Sequence, residues 1–138
     1  MKIVETDEIF DVDCDIFSPN ALGAVINDDT IDRLKCDIIA GAANNVLADE
    51  KHAKMLEERD ILYAPDYVVN AGGLMQVTDE MDPSGYSEAR TMKKCETIYG
   101  NLMKVFELAR EHNITTAEAA DKMVEERLET VAHLKTIY

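Results

Sequence analysis

The chain has 138 residues, 46% of them hydrophobic, which is enough for one globular domain with a sizeable core. Its formal net charge is −14, from 28 acidic against 14 basic residues, whereas nucleic acids and anionic membranes attract basic surfaces. The charge argues against both as partners, no apolar run is long enough to span a membrane, and the acidic N-terminal region lacks a secretory signal, so we expect a soluble cytoplasmic protein.

The first half of the chain alternates short apolar runs with short helical patterns. The predicted strands cover residues 13–18, 36–41 and 61–63, after a weaker strand at residues 2–5. The predicted helices between them cover residues 31–35 and 48–59. Largely apolar strands that alternate with helices indicate a parallel sheet covered on both faces. The predicted fold class is therefore α/β, with about three core strands.

A turn of small and amide residues ends each predicted strand, at residues 18–23, 41–45 and 70–73. Ligands of open parallel sheets bind at the carboxyl ends of the strands, so three such turns favour a ligand-binding edge. The third turn follows Pro65 and a second run, residues 67–69, that we predict to be extended. Asn70 offers a ligand one acceptor and two donors there, although a plain helix cap is the structural alternative.

The second half is predicted to be helical after a polar connection at residues 78–85. One long helix is predicted over residues 87–111, and a capping box of Thr115 and Glu118 opens the next. Each helix carries a one-sided apolar seam, which core packing explains better than a coiled-coil partner. The seams consist of Met92, Cys95, Tyr99, Leu102, Phe106 and Ala109 on the first helix, and Ala120, Met123, Val124, Leu128, Val131 and Leu134 on the second.

Few residues point to catalysis by their spacing. The three cysteines are far apart and are interpreted as buried, reduced thiols rather than metal ligands: Cys14, Cys36 and Cys95. The three histidines have charged neighbours and are predicted to lie at the surface: His52, His112 and His133. No Gly-x-Gly-x-x-Gly is present, so the usual phosphate-binding turn of a dinucleotide site is absent from these residues. Spacing alone predicts a polar ligand edge without a metal or catalytic group.

Three longer motifs resemble the glutamate/leucine/phenylalanine/valine dehydrogenase superfamily. They are DIFSPNALG at residues 15–23, IAGAANN at residues 39–45 and YAPDYVVNAGG at residues 63–73. Residues 92–94 and 119–127 also resemble the last helices of that family, and the similarity is strongest to leucine dehydrogenases. Asn20 is a departure, because Cys is more common at that position in leucine dehydrogenases. The motifs occur in the family order and together cover essentially the whole chain.

The resemblance implies the carboxyl-terminal part of such an enzyme. The substrate domain, the catalytic Lys and Asp and the glycine fingerprint of the family would lie upstream. Residues 1–80 would form half of a Rossmann-type dinucleotide-binding domain, and residues 81–138 a helical segment packed on it or on a partner chain. The family reaction is the reversible oxidative deamination of an L-amino acid to a 2-oxo acid and ammonia. The implied cofactor is NAD, with NADP as the alternative.

The resemblance also implies roles for five residues. Ala21 and Asn44 match positions beside the cofactor, and Asn44 lies near the nicotinamide ribose. Asn70 matches the asparagine that meets the nicotinamide region and the substrate carboxylate. Leu74 and Val77 match positions that line an aliphatic pocket for a branched-chain substrate, with ordinary helix core as the alternative. No catalytic residue and no metal ligand is carried over.

Two functions are compatible with these expectations. The first is the carboxyl-terminal part of a leucine-like dehydrogenase, inactive by itself because the acid–base groups are missing. The second is a non-catalytic oligomerising or assembly module, because half a doubly wound sheet leaves a strand edge and an apolar face uncovered. A homo-oligomer is expected in either case. The small-molecule partners of the parent enzyme would be the amino acid and the nicotinamide cofactor.

Overall fold

The computed structural model describes the backbone of residues 2–135 and the side chains of residues 2–132. In this part of the chain, short strands alternate with helices first, and helices alone follow. The strands are β1 (Ile16–Phe17), β2 (Ile38–Ile39) and β3 (Leu62–Tyr63). The α-helices are α1 (Lys51–Glu58), α2 (Asp66–Val69), α3 (Gly72–Glu80), α4 (Glu88–Cys95), α5 (Thr97–His112) and α6 (Thr116–Lys135), and two 3-10 turns cover Glu8–Asp11 and Ile31–Arg33.

The three strands form one parallel sheet in the order β1-β2-β3. Ile38 of β2 is paired with Ile16 on one side and with Leu62 on the other. An isolated bridge between Asp13 and Lys35 continues the pairing of β1 with β2 in the same direction. The predicted α/β class with about three parallel strands is confirmed. Because the strands run parallel in chain order, their carboxyl ends lie at one edge of the sheet.

Apolar side chains form two buried clusters. The first surrounds the sheet and α1 and consists of Ile26, Ile31, Leu34, Cys36, Ile39, Ala43, Val46, Leu56, Ile61 and Tyr63. The second joins α5 to α6 and consists of Val105, Ala109, Ala119 and Ala120. Full burial of a large aliphatic side chain stabilises a fold by roughly 1.5–3 kcal/mol. The hydroxyl of Thr116, at the start of α6, donates to the carbonyl of Tyr63 at 2.7 Å and ties the second cluster to β3.

The start of α6 is the predicted capping box. The N–H and the hydroxyl of Thr115 both donate to the Glu118 carboxylate, at 2.8 and 2.9 Å. The Glu118 N–H donates back to the Thr115 hydroxyl at 3.2 Å. Asn113, just before it, has a φ of +54°, the left-handed conformation that commonly ends a helix. The boundary between α5 and α6 is therefore set by local residues.

The prediction that residues 67–69 are extended is wrong, because they form the helix α2. The chain turns directly after Pro65, whose carbonyl accepts from the Val68 N–H at 3.0 Å. Val68 packs against the second cluster, and the hydroxyl of Tyr67 donates to Asp121 on α6 at 2.8 Å. These tertiary contacts outweigh the strand propensity of the valines.

Other predicted elements are shorter than the sequence indicated. The helix over residues 87–111 is interrupted at Glu96, which separates α4 from α5. There the hydroxyl of Thr97 donates to the carbonyl of Lys94 at 2.7 Å and competes with the helical backbone bonds. No strand forms at residues 2–5, residues 31–33 form only a 3-10 turn, and the helix predicted at residues 48–59 covers Lys51–Glu58.

The apolar seams are buried only where α5 and α6 meet. The seam residues Ala109 and Ala120 are buried in that contact, and Phe106 and Met123 pack against it. Other seam positions are exposed: Met92, Tyr99, Val124, Leu128 and Val131. Leu134 lies outside the described side chains. The prediction of core packing thus holds for part of each seam, and α6 presents an uncovered apolar stripe at Val124, Leu128 and Val131.

The prediction that His52 is a surface residue is wrong. Its side chain is only 2% exposed, and its two ring nitrogens contact residues outside α1. Nε2 lies 3.1 Å from Oδ1 of Asp28, and Nδ1 lies 3.0 Å from the backbone N of Asp49. His112 is exposed as predicted, and His133 lies outside the described side chains. His52 is a packed polar residue that connects α1 to the preceding turn.

Candidate functional site

The turns at the carboxyl ends of β1 and β2 lie directly against each other. The Ala43 N–H in the second turn donates to the carbonyl of Pro19 in the first at 3.0 Å. The Ala24 N–H donates to the carbonyl of Asn45 at 2.7 Å. Gly41 has no room for a side chain, because a Cβ there would overlap the backbone of Pro19. Glycine at position 41 therefore allows the two turns to meet.

The third turn, after β3 and α2, reaches the second turn through Asn70. Nδ2 of Asn70 donates to Oδ1 of Asn44 at 2.6 Å. The same nitrogen donates to the carbonyls of Ala42 and Ala43 at 3.3 and 3.4 Å. The two asparagines that the resemblance assigned to one cleft are thus in direct contact at the edge of the sheet.

These contacts fix the direction in which both amides point. Backbone carbonyls only accept, so the Asn70 atom that faces them is Nδ2 and its Oδ1 points the other way. The Asn44 atom that accepts from Nδ2 is Oδ1, so its own Nδ2 is also turned away from the contact. Within the described residues, Asn70 Oδ1 and Asn44 Nδ2 have no hydrogen-bond partner. The pair therefore offers a ligand one acceptor and one amino group.

The other three predicted site residues are accessible but do not touch this pair by hydrogen bonds. Ala21 lies on the exposed first turn. Leu74 and Val77 lie on one side of α3, which begins two residues after Asn70, and are 69% and 52% exposed. They are not part of the core of this chain, so the alternative interpretation as helix core is wrong.

The helix α3 is anchored to α4 through Asp79, whose side chain is fully buried. Its carboxylate accepts from Arg90 Nη2 at 2.9 Å, from Lys94 Nζ at 3.2 Å and from the Ser87 N–H at 2.8 Å. The hydrogen bond from Arg90 is the main reason that the pKa of Asp79 lies well below its ordinary value. Sequence reasoning missed this cluster. Its only signal was the i, i+4 spacing of two cations on α4.

A second buried carboxylate, Asp66, was also missed. It accepts from the hydroxyl of Tyr63 at 3.2 Å and from the Val46 N–H at 3.4 Å. Burial raises the pKa of the Tyr63 hydroxyl, which therefore remains a neutral donor. Asp66 thus joins the end of β3 to the chain that leaves the second turn. No sequence signal marks such a residue, because its partners come from separate elements.

A cavity of about 430 Å³ lies in another part of the molecule, between α1, β3 and the connection of α5 to α6. Leu62, Phe106, Arg110 and Ile114 are among its lining residues, and it shares none with the Asn44–Asn70 pair. Ligands of open parallel sheets bind at the carboxyl ends of the strands. We therefore place the candidate site at the three turns and not in this cavity.

The thiols and acidic groups elsewhere in the described part of the chain are not clustered around a common point. Within the described residues, no group of His, Cys, Asp and Glu side chains is arranged to hold a metal ion. All three cysteines are free; Cys36 is buried, whereas Cys14 and Cys95 are half-buried. Burial raises the pKa of the Cys36 thiol, which disfavours its reactive thiolate form. Among residues 2–135, no helix combines the length and apolar character needed to cross a membrane.

Comparison with known proteins matches this chain to one family of enzymes. The family model for glutamate/leucine/phenylalanine/valine dehydrogenase matches residues 1–135. The chain is 53% identical over 137 residues to a leucine dehydrogenase of Thermoactinomyces intermedius and 47% identical to a phenylalanine dehydrogenase of the same organism. Each alignment covers 99% of this chain and 37% of the relative. The crystal structure of L-tryptophan dehydrogenase from Nostoc punctiforme matches with a TM-score of 0.89 at 46% identity, covering 94% of this chain and 38% of that one.

These matches extend over nearly all of the chain but little more than a third of each relative. The family model includes the three turns, the Asn44–Asn70 pair and the helices that follow. The chain belongs to the glutamate/leucine/phenylalanine/valine dehydrogenase family.

Proposed function

We propose that this chain forms the nicotinamide side of the cofactor cleft in an NAD-dependent dehydrogenase that deaminates a branched-chain L-amino acid such as leucine. The observation that carries the proposal is the contact between Asn44 and Asn70 where the turns of parallel strands meet. The relatives named as leucine, phenylalanine and tryptophan dehydrogenases support an amino acid as substrate. The exposed, apolar side chains of Leu74 and Val77 favour an aliphatic one.

The free groups of the asparagine pair fit a nicotinamide nucleotide. Asn44 Nδ2 can donate to a ribose hydroxyl or to a carboxamide oxygen, and Asn70 Oδ1 can accept from an N–H or O–H group. Bound NAD would supply the hydride acceptor for the reaction. The backbone of Ala21, on the exposed first turn, is proposed to lie along the cofactor.

The orientation of the Asn70 side-chain amide refines the proposed role of this residue. Its amide nitrogen already donates to Asn44, Ala42 and Ala43, so no donor is left for a substrate carboxylate. Its free oxygen suits the amino group of the substrate or the carboxamide N–H of the cofactor. We therefore propose that Asn70 accepts a hydrogen bond in the ligand-bound state, instead of donating one to the substrate carboxylate.

The proposed division of the chain follows from this role. Residues 1–80 would be half of a Rossmann-type domain and would carry the cofactor contacts. Residues 81–138 would support it, or an adjoining chain, through helices. The hydrogen bond from Thr116 to Tyr63 supports docking of α6 onto β3.

Cofactor binding tests the proposed function. We would titrate the 138-residue chain with NADH, and in parallel with NADPH, and follow the nicotinamide fluorescence. We expect saturable binding of NADH that weakens about tenfold in Asn70→Leu, since one ligand hydrogen bond and the turn contacts are lost. Asn101→Leu is a matched control, because the side-chain amide of Asn101, on α5, has no hydrogen-bond partner among residues 2–132. A folded chain that shows no saturable NADH binding contradicts the proposal.

The chain alone is expected not to oxidise L-leucine. The family resemblance places the catalytic Lys and Asp and the glycine fingerprint outside these 138 residues, so proton transfer and phosphate anchoring are missing. The measurement is the formation of NADH from NAD and L-leucine by the purified chain. Steady turnover by the chain alone would show that acid–base groups are present within it.

A second candidate function is a non-catalytic assembly module. The strand β1 pairs only with β2 among the described residues, and its Ile16 is exposed. The uncovered stripe of α6 consists of Val124, Leu128 and Val131. Uncovered strand edges and apolar stripes favour association between chains. Light scattering over a range of concentrations tests this candidate, and a clean monomer at high concentration counts against it.

A further inference from the structure

The first and second turns are joined by a side chain that the proposed function does not use, that of Asn20. Oδ1 of Asn20 accepts from the backbone N–H of Ala42 at 2.9 Å. Nδ2 of Asn20 donates to the carbonyl and to the hydroxyl of Ser18, at 2.9 and 3.1 Å. The contacts to Ser18 fix the plane of the Asn20 amide, so its Oδ1 points towards the Ala42 N–H in the second turn.

The two peptide units that flank the Cα of Ala42 are therefore held from opposite sides. The N–H of Ala42 is bound by Asn20 of the first turn, and the carbonyl of Ala42 is bound by Nδ2 of Asn70 from the third. Asn44 lies two residues further along the same turn and accepts from that same nitrogen of Asn70. A shift of the Gly41–Ala42 peptide would pass through the Cα of Ala42 to its carbonyl, and would change the acceptors available to Asn70 and hence the position of the asparagine pair.

Other contacts between the turns do not depend on Asn20. The Ala43 N–H donates to the carbonyl of Pro19, and the Ala24 N–H donates to the carbonyl of Asn45. These backbone bonds remain when the Asn20 side chain is removed. Asn20 is exposed and belongs to neither buried cluster. Its truncation should therefore disturb the Ala42 peptide without unfolding the sheet.

We propose that Asn20 is a positioning residue that sets the second turn and, through it, the Asn44–Asn70 pair, an assignment whose cofactor readout rests on the proposed function. Asn20 itself need not touch the ligand. Its effect on binding is indirect, because a preorganised pair of amides binds a ligand without the cost of being ordered first. Asn20, in the turn after β1, would thus influence cofactor affinity without contacting the cofactor.

The test compares Asn20→Ala with Asn20→Asp in the 138-residue chain, in the absence of ligand. The alanine variant removes the acceptor for the Ala42 N–H, whereas the aspartate variant keeps one. Nuclear magnetic resonance of a nitrogen-labelled sample reports the exchange rate of the Ala42 amide and the side-chain amide signals of Asn44 and Asn70. In Asn20→Ala we expect Ala42 exchange to be about tenfold faster and both side-chain signals to shift. Asn20→Asp keeps an acceptor for the Ala42 N–H but loses the donor to the Ser18 carbonyl, so we expect both changes to be smaller there than in Asn20→Ala.

If Asn20 only stabilised the fold as a whole, its truncation would also change amide exchange in helices far from the first turn. Amide exchange in α5, for example at Val105, should be unchanged in both variants, because among the described residues no hydrogen bond and no buried cluster joins that helix to the first turn. Unchanged Ala42 exchange and unchanged Asn44 and Asn70 signals in Asn20→Ala overturn the proposal. Because the proposal expects the sheet to stay folded without the Asn20 side chain, an alanine variant that does not fold overturns it as well.

Cofactor titration separates this inference from the proposed function. NADH should bind Asn20→Ala about fivefold more weakly than it binds the wild-type chain, because part of the binding free energy is then used to order the asparagine pair. If the wild-type chain does not bind NADH, the proposed function fails, and the exchange measurement on the free chain still decides the role of Asn20. If NADH binds both chains equally although the side-chain signals shift, the link from Asn20 to the cofactor is overturned.

Discussion

Nδ2 of Asn70 donates to Oδ1 of Asn44 at 2.6 Å, although 26 residues separate them in the chain. One asparagine follows β2 and the other follows β3 and α2, so their contact depends on the parallel order of the strands. It brings together two residues that the sequence motifs assigned to one cleft. The remaining hydrogen-bonding atoms of the pair define what a ligand at this edge must offer.

Replacing Asn70 by aspartate tests the direction of this hydrogen bond. A carboxylate there would face three oxygens, those of Ala42, Ala43 and Asn44, and would have no proton to share. We expect Asn70→Asp to lower the free energy of unfolding by about 1–3 kcal/mol, the cost of an unmade hydrogen bond with charge repulsion. Urea denaturation measures it. Asn101→Asp, on α5, should cost much less, and equal losses would contradict the assigned direction.

Truncation of Leu74 tests whether α3 exposes a ligand surface or contributes to the core. The side chain is 69% exposed, so Leu74→Ala should change the free energy of unfolding by less than about 0.5 kcal/mol. Leu56→Ala is the matched control, because Leu56 is fully buried and the same change there should cost about 2–5 kcal/mol. A cost above 2 kcal/mol at Leu74 would mean that this residue is packed in solution.

The ion cluster at Asp79 predicts a pH dependence of stability. Its hydrogen bond from Arg90, with further ones from Ser87 and Lys94, keeps the pKa of the Asp79 carboxyl below its ordinary value of 3.8. Since the folded pKa is lowered, the contribution is complete above the ordinary value and is lost as the pH falls below it. Thermal denaturation should therefore show a lower melting temperature in acid.

The variant Asp79→Asn should have a lower melting temperature at neutral pH and a smaller further loss in acid than wild type. Glu80→Gln, an exposed acidic residue on the same helix, is the control and should behave like wild type. If the two variants melt alike at neutral pH, the buried ion cluster does not anchor α3 to α4.

The capping box at α6 predicts a local stability effect. Thr115→Ala removes the hydroxyl that accepts a hydrogen bond from the Glu118 N–H, and should lower the free energy of unfolding by about 1 kcal/mol. The N–H of Thr115, followed by its hydroxyl, lowers the pKa of Glu118 below 4.5, so this contribution also weakens as the pH falls below that value. Thr130→Ala, on the exposed part of α6, is the control: urea denaturation should show no loss in its free energy of unfolding. A neutral Thr115→Ala would rule out the capping role.

The features that the sequence determined by itself are local or periodic. Apolar runs located three strands, and their alternation with helices set the parallel order. The capping box could be predicted because Thr115 and Glu118 are three residues apart, and each side chain accepts from the backbone N–H of the other residue. The contact of Asn44 with Asn70 followed from the family motifs and from the rule that parallel strands end at a common edge.

Only the tertiary structure decided the features whose partners are distant in the chain. Residues 67–69 became helical because Val68 meets the cluster of α5 and α6 and Tyr67 meets Asp121. His52 is buried because it lies on the packed face of α1 with Ala53 and Leu56, where Asp28, from a turn 24 residues earlier, contacts its Nε2. Local propensity is worth a fraction of a kcal/mol per residue, whereas each buried contact is worth more, so packing decided these positions.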